Sequence, residues 1–145
     1  MPVVIEPETA ADHDAIRAVV RAAFDTHVEV ADLVDMIRAS PQFVPELSLV
    51  ARLDGGVVGH MMLSHAELED DDGVRREVLT LSPLAVAPSH QRRGIGAALV
   101  AHAVTLSRAR GGDWLHVDYE PDLSPFYEGC GFTPTPAGLL QLYTD

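Results

Sequence analysis

The chain has 145 residues, 47% of them hydrophobic and 22% charged, a balance ordinary for one globular domain that buries roughly two-thirds of its unfolded surface. Its formal charge of −12 argues against nucleic acid or anionic membrane partners, which would repel such a surface. One cysteine, Cys130, excludes an internal disulfide, and no apolar run approaches the ~20 residues of a membrane span.

In chain order, Val3-Val4-Ile5 reads as a short strand ended by Glu6-Pro7. Thr9 with Asp12 three residues on is an N-cap pattern, and Ile16, Val19, Val20, Ala23 and Phe24 follow at helical spacing. A second helix is predicted from His27 to Ala39, with Val30, Leu33, Val34 and Ile37 on one face. Ser40 to Pro45 reads as a proline-bounded loop, in which Phe43 either lines a tunnel or packs as an ordinary core residue.

Leu47 to Leu53 and Val57 to Leu68 form a predicted hairpin around Asp54-Gly55-Gly56. The acidic run Glu67 to Asp72, followed by Gly73, reads as a solvated loop. It lacks the alternating ligands and distal glutamate of a calcium-binding loop. Val74 to Ala87 is the next strand, stopped by Pro88.

After that strand comes the polar loop Ser89 to Arg93, and Gly94-Ile95-Gly96-Ala97 opens a helix rich in Ala, Leu and Val. Strand, glycine loop and helix in that order make an anion cradle. The first helical N–H groups have no intrahelical acceptor, and the helix dipole adds partial positive charge there. Arg92 and Arg93 add forked donors. Ile95, Leu99, His102 and Leu106 are expected on one face, with His102 packed or at the edge, and Gly111-Gly112 ends the helix.

Asp113 to Asp118 is a strand, Asp122 to Glu128 a short helix, Gly131-Phe132 a turn and Leu139 to Thr144 a last strand. The seven histidines lack metal-site spacing, so no metal is expected. Nothing at the N-terminus resembles a signal peptide, and a cytoplasmic location is expected.

The cradle matches neither the dinucleotide fingerprint nor the P-loop. Gln91-Arg92-Arg93-Gly94-Ile95-Gly96-Ala97, preceded by the strand Leu84-Ala85-Val86-Ala87-Pro88, resembles instead the Q/R-x-x-G-x-G/A signature of the GNAT-type N-acetyltransferases. Phe126-Tyr127-Glu128-Gly129-Cys130-Gly131-Phe132 resembles a second segment of that family, F/L-Y-E-x-x-G-F, with Leu115-His116-Val117 as the strand before it. With the element order, the resemblance extends from Val3 to the end.

The resemblance implies an α/β (α+β) fold: one domain over residues 1–145, with a mixed sheet whose central strands splay and whose faces carry helices. It implies acetyl-CoA as co-substrate, without a metal, and direct transfer of the acetyl group to a primary amine of a small molecule or peptide. The pyrophosphate would lie on the backbone of Gln91 to Ala97. The pantetheine arm would run beside Leu84, Ala85 and Val86, and the Leu84 or Val86 amide would face the developing oxyanion. Tyr127 matches the family's general acid, which protonates the departing thiolate.

Two positions depart from the pattern. Ser82 stands where many relatives carry a glutamate that draws off the amine proton; His60, Glu29, His116 or a water chain could substitute. Glu120 stands where relatives often have an asparagine. Cys130 is expected as a small buried residue, since nothing nearby in sequence activates it. A homodimer is a common outcome for the family. The competing readings are a CoA-binding module without catalysis and a general phosphate-binding α/β domain.

Overall fold

A computed structural model describes residues 3–69, 72–111, 114–117, 121–132 and 139–141. Six strands form one sheet in the order β1-β2-β3-β4-β5-β6. They are β1 (Val4–Pro7), β2 (Phe43–Leu53), β3 (Gly56–Glu69), β4 (Arg75–Val86), β5 (Trp114–Val117) and β6 (Leu139–Gln141). The helices are α1 (His13–Ala23), α2 (Glu29–Arg38), α3 (Ile95–Ala109) and α4 (Ser124–Gly129). All neighbouring strands run antiparallel except β4 and β5, which are parallel. A parallel pair needs a crossover, and α3 is that crossover.

Period-two alternation sends residues of one strand to opposite layers. On one face Leu49, Ala51, Met61 and Leu63 meet Ile95, Leu99, Val100 and Ala103 of α3, together with Tyr127 and Phe132. On the other, Val50, Met62 and Ala85 meet Ile16, Val19 and Val20 of α1 and Ala31 and Val34 of α2. Each layer therefore has its own core, with the sheet between them. Among the described residues no helix is long and apolar enough to cross a membrane.

The local signals work mostly as expected. Thr9 caps a single 3-10 turn ahead of α1 in a capping box with Asp12, whose Oδ2 accepts from the Thr9 amide at 2.8 Å. Asp12 also pairs with Arg52 of β2 through both oxygens. That guanidinium, bonding the carboxylate, holds the Asp12 pKa down at about 2. The β2–β3 hairpin turns on Asp54 (φ 53°) and Gly55 (φ 84°), both left-handed, as a type I′ turn requires.

Four expectations change. The segment Ser40 to Pro45 is not all loop, because β2 starts at Phe43. Between Phe43↔Ser64 and Ser48↔Met62 the register slips, and Pro45 sits in that bulge, where its missing N–H leaves no ladder bond unmade. Phe43 packs on the α1–α2 core. On α3, His102 is exposed and Ala103 takes the inward place. On α2, Leu33 leaves the buried face and stands 40% exposed. The acidic loop starts later than expected, since β3 continues to Glu69; positions 70 and 71 lie outside the described residues, as do 112, 113, 118 and 142–144 of other expected elements.

Candidate active site

Among the described residues β5 pairs with β4 at Leu79↔Leu115, Thr80↔His116 and Leu81↔Val117, and beyond Leu81 the pairs of β4, up to Val86, are with β3. Just beyond Leu81, β4 carries an extra residue: Met61↔Leu84 is followed by Leu63↔Leu81, so Ser82-Pro83 form a bulge. Proline, having no N–H, fits such an interruption.

The direction of the free backbone groups follows from one bond. Ala87 donates its amide to the Val58 carbonyl at 2.8 Å, directly across the β3–β4 ladder. In an antiparallel ladder bonded and non-bonded pairs alternate. Ala85, opposite His60, therefore directs its backbone to β3, while Leu84 and Val86 direct theirs away from β3, to the side on which β5 pairs further back along β4. Gln91 reaches to this side, and its Nε2 donates to the Val86 carbonyl at 3.0 Å.

The loop beyond β4 turns through Arg92 (φ 64°) and Gly94 (φ 82°), then enters α3. Ala98 donates to the Gly94 carbonyl at 3.0 Å, so the amides of Ile95, Gly96 and Ala97 precede the helical ladder and lack acceptors within it. Gly94 serves the left-handed turn. At Gly96 a Cβ would lie 3.4 Å from Phe126 Cζ and 3.8 Å from Val86 Cγ2, ordinary contact distances that put the helix start beside α4. The loop motif gives this glycine another use, the close approach of a phosphate to the backbone. Arg92 and Arg93 are exposed beside this helix start.

A cleft of about 480 Å³ opens beside the bulge. One wall comes from the α1–α2 region, with Phe24, His27, Glu29, Val30 and Leu33. Leu81 to Leu84 of β4 face it, and Leu123 and Tyr127 close the far side. Side chains from both layers of the fold meet here, just beyond the described β4–β5 pairing. Tyr127 is 6% exposed and is held edge-on by Phe126 and Phe132, with ring centres 4.9 and 5.8 Å away.

The four routes considered for removing the amine proton now separate. Glu29 lines the cleft and is well exposed, with His27 Nδ1 3.6 Å from its Oε1. His60 does not line it. His60 lies fully buried between Val50 and Ala85, Nδ1–H donating to the Leu49 carbonyl at 2.9 Å, and burial depresses its pKa to about 4. His116 Nδ1 shares a hydrogen bond with Thr80 Oγ1 at 2.9 Å, also away from the cleft lining. Ser82 stands half-buried in the lining. Glu120 lies outside the described residues. Burial pushes the Cys130 thiol pKa up, against a nucleophile's needs.

The acetyltransferase (GNAT) domain model matches residues 45–134, more than half of the chain, taking in β3, β4, β5, α3 and α4 but not the α1–α2 wall of the cleft. The chain belongs to the GNAT acetyltransferase family.

Its relatives agree with that assignment. The N-acetyltransferase YjhQ of Escherichia coli K12 is 35% identical over 101 residues, covering 69% of this chain and 54% of YjhQ. The tRNA(Met) cytidine acetyltransferase TmcA of Pectobacterium atrosepticum is 36% identical over 80 residues, 54% of this chain and 11% of TmcA. The chain thus spans about half of one curated relative and a tenth of the other. A GNAT family acetyltransferase from Brucella melitensis, crystallised with acetyl-CoA, superimposes with a TM-score of 0.82 at 28% identity, covering 99% of this chain and 90% of that one. The GNAT fold, a mixed sheet flanked by helices, is the one described here. His27, Phe24 and Leu123 had carried no signal as cleft residues in the sequence. Phe24 and His27 lie between α1 and α2 and Leu123 in a single 3-10 turn, where helical or strand periodicity does not say which way a side chain faces.

Proposed function

We propose that residues 1–145 form one acetyl-CoA-dependent N-acetyltransferase domain that transfers acetyl to a primary amine by direct attack. The observation that carries this is the edge of β4 itself: Leu84 and Val86 turn their backbone groups away from β3, past the end of the described β4–β5 pairing, with the Val86 carbonyl held by Gln91, between the start of α3 and the cleft that Tyr127 lines. An extended amide-bearing arm finds strand-like partners there, and a pyrophosphate finds the free amides of residues 95–97 with Arg92 and Arg93 alongside. The acetyl-CoA bound to the Brucella melitensis relative supports the same ligand here.

Acetyl-CoA supplies the activated acetyl thioester. The Val86 amide, or that of Leu84, donates to the thioester carbonyl oxygen as negative charge gathers on it. Tyr127 gives its phenolic proton to the departing sulfur. Glu29, the acid at the cleft wall, accepts the amine proton directly or through water. No step uses a metal; among the described residues no group of three or more His, Cys, Asp or Glu is placed to hold one. A cytoplasmic location suits the free thiol of Cys130 and the acetyl-CoA co-substrate.

The test is twofold. Calorimetry with CoA measures binding, and release of free thiol from acetyl-CoA across an amine panel measures transfer. Binding with amine-dependent thiol release supports the proposal. Binding without release from any amine would instead favour a CoA-binding module, and equal binding of nucleotides lacking pantetheine a general phosphate site.

A further inference from the structure

We infer that the acceptor is a small primary amine with an apolar body and no carboxylate, an aralkyl or alkyl amine; this rests on reading the cleft as the acceptor side of the acetyltransferase. The first observation is the lining. Phe24, Val30 and Leu33 on the helical wall face Pro83, Leu84 and Leu123 across about 480 Å³, a volume suited to a small ligand. Leu33 is 40% and Leu123 42% exposed, while the core residues around them are covered. A ligand that brings its own apolar surface removes these two from water.

The second observation is charge. Among the described lining residues the ionisable side chains are His27, Glu29 and Tyr127, with neither lysine nor arginine. Asp32, one turn of α2 further on, is bonded to Arg17 at 2.6 Å, and Asp25 is not in the lining. An incoming ammonium therefore meets one carboxylate at the mouth, Glu29, whose neighbour at 3.6 Å is the His27 ring rather than a lysine or arginine. A carboxylate on the acceptor would meet Glu29 with no permanent cation to offset it. A polyamine would place a second ammonium against apolar side chains, and a peptide would place backbone amides there, where Ser82 is the main polar group left to serve them.

In the transfer, the neutral amine nitrogen forms the C–N bond as the C–S bond breaks. The nitrogen loses one proton, and the sulfur leaves with the bonding pair and takes up one proton. Glu29 thus gathers the ammonium form near the wall from which it is deprotonated.

The full chain is assayed with acetyl-CoA for thiol release with 2-phenylethylamine, hexylamine, phenylalanine, spermidine and a leucine-initiated tetrapeptide. The expected result is a kcat/KM at least about ten-fold higher for the first two than for the other three, the scale of a few apolar contacts. Leu33→Ser and Glu29→Gln should each raise the KM for phenylethylamine about five-fold or more, with unchanged melting temperature and CoA affinity. Preference for phenylalanine, spermidine or the peptide overturns the inference while leaving the transferase reading intact. So does a ten-fold faster reaction with hexanoyl-CoA than with acetyl-CoA, because the apolar lining would then serve the acyl chain. No CoA binding at all would overturn the transferase reading itself, and with it the inference.

Discussion

Gly96 in the first turn of α3 faces Phe126 in α4 so closely that a methyl group at 96 would sit 3.4 Å from the phenylalanine Cζ. The two sequence segments that mark the family touch at this point. An alanine at 96 fits at ordinary contact distance and gains helix propensity of up to about 1 kcal/mol over glycine. A valine adds two methyls against the ring that holds Tyr127. Gly96→Ala should keep its melting temperature and CoA affinity. Gly96→Val should lose about 1–3 kcal/mol of stability, the usual scale of overpacking. Its kcat should fall as Tyr127 shifts. Thermal melts and steady-state rates for the pair check this; a Gly96→Val protein with normal melting and turnover but lost CoA affinity would instead favour the ligand-approach role.

The proposed acid role of Tyr127 separates from its packing. Tyr127→Phe keeps the ring contacts with Phe126 and Phe132 and removes the proton. A CoA thiol is already a fair leaving group, with a pKa near ~8.5 like other thiols, so the effect should lie at about 10²–10³-fold, the lower half of general acid effects. kcat and kcat/KM should fall together, with stability unchanged. Full activity in a stable Tyr127→Phe ends the acid assignment.

Arg93, exposed beside the start of α3, should contribute to the pyrophosphate contact and little to the fold. Arg93→Ala should weaken CoA binding by about 1–2 kcal/mol, the range of a partly solvated charged hydrogen bond. The loss should shrink with added salt, since exposed charges are screened. Calorimetry at two ionic strengths reads both effects.

His60 predicts an acid-sensitive fold. Its pKa falls from 6.5 to about 4 because burial penalises the charged ring. The folded state therefore takes up the proton less readily than the unfolded chain. Stability is fully present above pH 6.5 and is lost as pH drops towards 4, by roughly 3 kcal/mol in all. Asp12, held at about 2 by Arg52, adds a separate loss between about pH 4 and 2. His60→Asn, whose amide nitrogen takes the place of Nδ1 and keeps a donor for the Leu49 carbonyl, should flatten the upper window only. Urea midpoints of both proteins from pH 7.5 to 3.5 decide the matter.

Local chemistry alone determined much of this protein. Thr9 and Asp12 announce a capped helix start, Asp54-Gly55 a type I′ turn, and Gly94 a left-handed entrance to α3, because each depends on residues within a few positions of one another. The same nearness made the two family segments and the order of elements readable. The tertiary structure decided what depends on distant partners. Pro45 lies in a strand because β3 tolerates a bulge opposite it, and His102 gives its inward place to Ala103 because the tilt of α3 on the sheet sets which stripe is covered. Gly96 faces Phe126, thirty residues away. His60 is a buried, neutral ring rather than a cleft base because β2 and β4 flank it on both sides. Glu29, His27 and Tyr127 share one cleft because the α1–α2 region and α4 meet across Leu81 to Leu84 of β4. Such relationships come from burial and packing between elements far apart in the chain, and no short-range pattern encodes them.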